Sequence, residues 1–229
     1  MRLSLLFILL LYTISFTFTP IGLIKRVNTK EKVVVLTFDD GPLPKVTDKI
    51  LAILKENRVQ ATFFLIGTNV IKYPHLVERI YFENHDIANH TYHHSRLDTL
   101  PNSDFIDYEI TETDSLLQSI LGIKPRYFRP PGGRTNHLIL DRAKANKLKS
   151  IGWSINTSDF LYNKHQKVSI KTLEKKKKRI LKLLKRNLSP GAIILMHNGS
   201  VVSTYVLPDV IKTIQEEGYR IAKLSTLIP

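Results

Sequence analysis

A chain of 229 residues is long enough for one domain with a sizeable core or two small ones, and 43% hydrophobic with 24% charged residues is the composition of a folded protein, not a disordered one. The absence of cysteine excludes a disulfide framework, a thiolate metal site and a cysteine nucleophile, so any metal must be held by His and carboxylate side chains. The net charge of +14 is concentrated in one place: eleven Lys or Arg against one Glu lie between Lys164 and Arg186.

At the amino terminus, 22 uncharged residues separate Arg2 from Lys25. As a helix they would span about 33 Å, against a hydrocarbon core of about 30 Å. The stretch 15–22 carries bulky Phe16, Phe18 and Ile21 and no small-residue cleavage site. Residues 1–26 are therefore read as an uncleaved signal anchor, a hydrophobic helix before the folded domain, with a cleaved signal as the alternative. This predicts a single-pass protein of the cell membrane whose domain faces outward, or a secreted protein if the signal is removed.

Residues 27–32 read as a linker and 33–229 as a single domain. Candidate strands at 33–38, 61–66, 86–89, 127–129, 149–155, 192–196 and 219–222 alternate with candidate helices at 46–57, 74–82, 103–121, 136–145, 170–187 and 205–217. Such alternation implies parallel pairing, because parallel neighbours need a long crossover. The first strand is almost continuously apolar, as when both faces are covered. Pro44 precedes the first helix, Gly218 ends the last, and Ser189-Pro190-Gly191 turns into the strand at 192–196. About seven parallel strands fit either an open doubly wound sheet or an irregular barrel. Within the basic stretch, Leu173, Ile180, Leu181, Leu184 and Leu188 recur at helical spacing, giving an amphipathic helix with a charged outer face. That face is either simply solvated or contacts an anionic wall polymer or lipid headgroups. Nucleic acid is disfavoured by the lack of zinc-finger spacing, of an aromatic-rich strand motif and of a basic region followed by heptads.

Polar residues gather at the carboxyl ends of different strands: Asp39 and Asp40, His90 and His94, Arg129, Asp159, and His197. In parallel α/β folds these ends share one face. Asp39 and Asp40 point in opposite directions if the strand continues, so one can serve a metal and the other a proton; the bland alternative is an ordinary Asp-Gly turn into Gly41-Pro42. His90 and His94, four apart, would stack on one side of a helical turn and, with a carboxylate, make a three-ligand site; alternatively, with His93, they are a surface cluster. Two imidazoles and a carboxylate suit Zn2+ but also describe non-haem iron, so the metal stays open.

These residues resemble, in order over 33–198, the motifs of the polysaccharide deacetylase (NodB-homology) family, carbohydrate esterase family 4. They are Thr37-Phe38-Asp39-Asp40-Gly41-Pro42, His90-Thr91-Tyr92-His93-His94, Arg129-Pro130-Pro131, the segment from Trp153 to Phe160, and Leu195-Met196-His197. The resemblance implies a distorted (β/α) barrel with fewer than eight strands. It implies Asp40, His90 and His94 as ligands of one divalent metal, Zn2+ first, with Co2+, Ni2+, Mn2+ or Fe2+ as alternatives. Asp39 would be the general base, oriented by Arg129, and His197 the general acid, paired with Asp159. Gly132, just after Pro131, would offer its N–H to the oxyanion, Leu195 would touch the acetyl methyl, and Trp153 would serve as core or lid. The implied reaction is removal of N-acetyl groups from amino sugars of a cell-wall polysaccharide: N-acetylglucosamine or N-acetylmuramic acid of peptidoglycan, or chitin-like oligomers. Three departures concern substrate fit: Phe160 for the usual Trp, Asn156 where many members have Asp, and Gly132 where an aromatic often follows the proline. A metal-dependent amidase on a lipid-linked or small sugar, and a non-catalytic glycan-binding module, are the competing readings. His75, His85, His137 and His165 are assigned to surface or packing.

Overall fold

The computed structural model describes residues 22–160 and 168–229. Most of the apolar amino-terminal segment, and His165, lie outside them. No helix among the described residues is long and apolar enough to cross a membrane.

In chain order the elements are β1 (Leu23–Ile24), β2 (Val33–Gly41), α1 (Val46–Glu56), β3 (Thr62–Leu65), α2 (Gly67–Lys72), α3 (Pro74–Phe82), β4 (Asp86–Asn89), α4 (Ser103–Leu121), β5 (Tyr127–Phe128), α5 (His137–Ala145), β6 (Lys149–Ile151), β7 (Ile155–Asn156), α6 (Ile170–Asn187), β8 (Ile193–His197), α7 (Val201–Glu216), β9 (Arg220–Ala222) and α8 (Leu224–Leu227). The strands form one parallel sheet in the order β1-β6-β5-β4-β3-β2-β8-β7, with β9 also pairing with β2. Curled on itself and covered by helices, this sheet is the distorted (β/α) barrel, which settles the choice between barrel and open sheet.

Two strands differ from the expectation of about seven. The stretch 149–155 divides at Gly152-Trp153-Ser154 into β6 and β7, which sit far apart in the sheet, and Leu23–Ile24 adds β1 beside β6. The folded unit thus takes in residues that the sequence placed in the apolar segment and linker. Val27, for instance, is buried and its N–H donates to the Gly191 carbonyl at 2.8 Å.

Side chains alternate across each strand. On β2, Val34, Leu36 and Phe38 pack outward against Ile50, Leu51 and Leu54 of α1 and Val206, Val210 and Ile214 of α7. Val35 instead joins Phe64, Ala88, Tyr127, Ile151 and Ile193 in a smaller core inside the curl. Helix α6 obeys the expected stripe: Leu173, Ile180 and Leu184 are buried, and the Ser169 hydroxyl caps its start by accepting from the Thr172 N–H at 3.2 Å. Helix α7 begins at Val201, four residues before expectation; its start signal is the Ser200 cap, masked in sequence by the β-branched pair that follows. Helix α2 was not anticipated, being six residues long and too short to show a period.

Candidate active site

The inner parity of each strand decides what enters the cleft at its carboxyl end. Val35, Thr37 and Asp39 follow one face of β2, and Ile193, Leu195 and His197 the same face of β8, with Asp39 in register beside His197. Tyr127 and Ile151 take that face on β5 and β6, so Arg129 and Trp153, two residues further on, also turn inward. The same count from Ala88 delivers His90.

Asp40 breaks the rule. By alternation it would follow Leu36 and Phe38 into the helix layer. Its φ of 74°, and a register shift against β3 between Phe38 and Gly41, turn it into the cleft that Asp39 also lines. The opposed directions expected of the two carboxylates are replaced by a shared one. His90 and His94 likewise do not lie on a helical turn. Left-handed backbone at Thr91 (φ 67°) and His94 (φ 63°) folds the loop back so that the two rings lie 5.0 Å apart. These strained residues sit where function concentrates them.

The outcome is one set of donors. His90 Nε2 is 3.5 Å and His94 Nε2 3.2 Å from the same Asp40 Oδ1, and the three donor atoms all lie within 4.8 Å of one another. Those spacings are close to the edge, about 3.4 Å, of a tetrahedron of ligands about 2.1 Å from a central ion. His90 Nδ1–H donates to the Arg129 carbonyl at 2.7 Å, which fixes the tautomer and leaves Nε2 for an ion. Burial opposes charge on Asp40, yet hydrogen bonds and attraction from His90 and His94 hold its carboxyl well below the ordinary range. Burial also lowers the pKa of His90, and Asp39, then Asp40, push it up to a net rise. The cluster draws positive charge, and its sulfur-free set of two imidazoles and one carboxylate fits a single divalent metal.

Beside it, Asp39 is 4% exposed and accepts from Arg129 Nη1 at 2.6 Å. Arg129 is wholly buried; its Nη1 also reaches Thr37 Oγ1, Nε donates to Ile151 O at 3.1 Å and Nη2 to Gly152 O at 2.9 Å, over the Phe64 ring at 4.0 Å. Across the cleft, His197 Nδ1 lies 2.7 Å from Asp159 Oδ1, while Asp159 Oδ2 accepts the His197 N–H at 2.9 Å. The hydroxyls of Thr157 and Ser203 flank the same buried carboxylate. Burial lowers the imidazole pKa, but Asp159 first, and Asp39 and Asp40 after it, raise it to about 9.

These groups open into a cleft of about 690 Å3 walled by Leu43, Ile66, Trp153, Phe160 and Leu195. Gly132 lies on its rim with a left-handed φ of 65° and no atom within 4 Å of where a Cβ would stand, while a Cβ on Gly133 would meet the Trp153 ring at 2.3 Å. Pro131 is buried and is not part of the cleft lining. Of the remaining histidines, His85 is buried, its Nδ1 accepting the Ala61 N–H at 3.1 Å, and His75 and His137 are on the surface.

The sequence reading missed two supports. Glu109 of α4 accepts the His93 N–H, His93 Nδ1–H and the Ser95 hydroxyl at 2.8 to 2.9 Å, pinning the loop on both sides of His94. Asn89 accepts the Thr91 N–H at 2.8 Å and donates to Asp114 of α4 at 2.7 Å. A signal was available for Glu109: it falls on the stripe of Ile106, Ile110, Thr113 and Leu117 that α4 buries, where a solvated acid has no business.

The polysaccharide deacetylase family model matches residues 26–151. The chain belongs to that family. It is 38% identical over 165 residues, 72% of its length, to a peptidoglycan-N-acetylglucosamine deacetylase of Bacillus cereus, of which it spans 55%. It is 33% identical over 202 residues, 88% of its length, to the peptidoglycan-N-acetylmuramic acid deacetylase PdaA of Bacillus subtilis, of which it spans 73%. Among solved structures, a peptidoglycan N-acetylglucosamine deacetylase matches with TM-score 0.80 and 33% identity, covering 90% of this chain and 92% of its own. A family pseudoenzyme from Bacillus anthracis matches with TM-score 0.79 and 28% identity, covering 93% and 70%. Membership of the fold therefore does not by itself decide activity, and the reacting groups must.

If Glu109 holds the ligand loop, Glu109→Gln, which cannot accept all three hydrogen bonds, should weaken zinc binding about tenfold or more, read by competition with a chromogenic chelator. Unaltered affinity would mean the loop is fixed without it.

Proposed function

We propose that this protein is a metal-dependent N-deacetylase of amino sugars in a cell-wall polysaccharide, with peptidoglycan N-acetylglucosamine or N-acetylmuramic acid as its substrate class. One observation carries the reading: a proton acceptor backed by a buried arginine and a proton donor backed by a buried carboxylate stand in register on neighbouring strands beside a three-donor metal site. A pure binding module has no use for those buried partners. The peptidoglycan deacetylases among the relatives support the substrate class.

The chemistry follows from what an amide demands. A divalent ion held by Asp40, His90 and His94 would supply Lewis acidity and a water of lowered pKa. Asp39, aimed by Arg129, takes the proton of the attacking water. Gly132, whose backbone lines the cleft, would offer its N–H to the developing oxyanion, a contact type worth about 3 to 4 kcal/mol. His197, protonated through Asp159, gives its proton to the departing sugar nitrogen. Leu195 supplies an apolar wall suited to an acetyl methyl, and Trp153 closes the side above Gly133. Zn2+ is the first candidate for this donor set, with Co2+, Ni2+, Mn2+ or Fe2+ as alternatives. The uncharged stretch between Arg2 and Lys25 supports a site outside the cell, anchored to its membrane or secreted.

Acetate release from peptidoglycan, chitin oligomers and acetylated xylan, with and without chelator, tests the reading. Release from peptidoglycan that stops with chelator and returns with Zn2+ is expected, as is a loss of at least about a hundredfold in kcat for Asp39→Asn and His197→Gln with metal still bound. Near-normal turnover in either variant would reverse the roles assigned.

The proton donor also sets a pH limit. Because His197 must be protonated to act, activity should fall as pH rises through about 9. Asp159→Asn removes the largest influence raising that pKa, so the alkaline limb of kcat/KM should move to lower pH by about one unit. A limb that stays in place would assign it to another group.

A further inference from the structure

A second cleft, about 620 Å3, adjoins the first, and Asn156 lines both. Its other wall is α6, which presents Lys178, Arg179, Lys182 and Arg186. All four are exposed, and among the described residues Lys177 is the one basic side chain of α6 in an ion pair, with Glu174 and Asp209. The helix dipole accounts for cations in the last turn, where Lys185 and Arg186 lie, but not for Lys178, Arg179 and Lys182 further up. The helix is also tied to the catalytic wall, since Lys176 Nζ donates to the carbonyls of Ser158 and Phe160 at 3.1 Å, on the loop that carries Asp159.

We propose that this basic cleft is a subsite for negatively charged groups, carboxylate or phosphodiester, borne by the same glycan strand whose acetamide occupies the catalytic cleft. Continuity through Asn156 favours a strand running from one cleft into the other, and a recess favours a polymer segment over the flat surface of a membrane. Four unpaired cations on one stretch of helix, neighbours among them within about a Debye length, concentrate anions there and add to binding without touching the reacting atoms. The proposal rests on the deacetylase reading of the neighbouring cleft.

The test uses glycan strands of alternating N-acetylglucosamine and N-acetylmuramic acid with free lactyl carboxylates, and the same strands with those carboxylates converted to amides. For the wild type, KM should be about tenfold lower on the charged strands and should rise between about 50 and 500 mM NaCl. In the quadruple variant K178Q/R179Q/K182Q/R186Q, KM on charged strands should rise to the amidated value, with kcat and the amidated KM unchanged. Melting should also be unchanged, because Leu173, Ile180 and Leu184, which dock the helix, are untouched. Equal KM for both strands in the wild type overturns the proposal. So does a variant that loses affinity for anionic phospholipid vesicles while keeping its KM for charged strands, which would assign the face to a membrane. Fluorescence anisotropy of labelled strands in the presence of chelator reads binding without turnover, so the subsite stands or falls even if no acetate is released.

Discussion

The buried guanidinium of Arg129 is the contact on which the rest of the site depends. A charge wholly removed from water costs several kcal/mol unless it is paired and hydrogen-bonded. Here it meets the Asp39 carboxylate, the Thr37 hydroxyl and the carbonyls of Ile151 and Gly152, which bind β2 and β6 to the end of β5 across the inside of the barrel. Burial draws its pKa below the usual arginine value and Asp39 opposes that fall, so each ion justifies the other. Its own backbone carbonyl then accepts from His90 Nδ1 and sets which nitrogen faces the metal position. One residue thus fixes the Asp39 carboxylate with its side chain and the His90 ring with its backbone.

Rigidity on this scale has a local cost. Asp40, Thr91, His94 and Ser158 all adopt left-handed backbone, which for residues other than glycine costs about 1 to 3 kcal/mol each. Glu109 of α4 and Asn89 at the end of β4 hold the His90–His94 loop against that strain, and a ring of hydroxyls and N–H groups does the same for the Asp159 end. In the proposed mechanism this strain would hold the reacting groups in place before substrate arrives, as electrostatic preorganisation requires.

Much of this was legible in the sequence. Apolar blocks alternating with amphipathic stretches indicated the parallel (β/α) arrangement, and the residues at the strand ends named the site, because strand parity and the carboxyl-end rule need no tertiary information. What escaped was set by backbone detail. Alternation sends Asp40 the wrong way, and only its positive φ corrects this. Spacing of four suggested a helical turn for His90 and His94, whereas two left-handed residues make the convergence. Gly152 to Ser154 interrupts a run that reads as one strand, since β6 and β7 belong to different parts of the sheet. Glu109 and Asn89 act through hydrogen bonds between elements far apart in sequence, which periodicity does not register.

In the proposed mechanism Asp40, His90 and His94 grip one ion while Asp39, though adjacent, is left free for protons. Anomalous diffraction from crystals of the zinc-loaded protein tests it directly. One peak per chain is expected, about 2.0 to 2.2 Å from Asp40 Oδ1 and the Nε2 atoms of His90 and His94, with Asp39 still paired to Arg129. A peak bonded by Asp39, or lying away from those three donors, would contradict it.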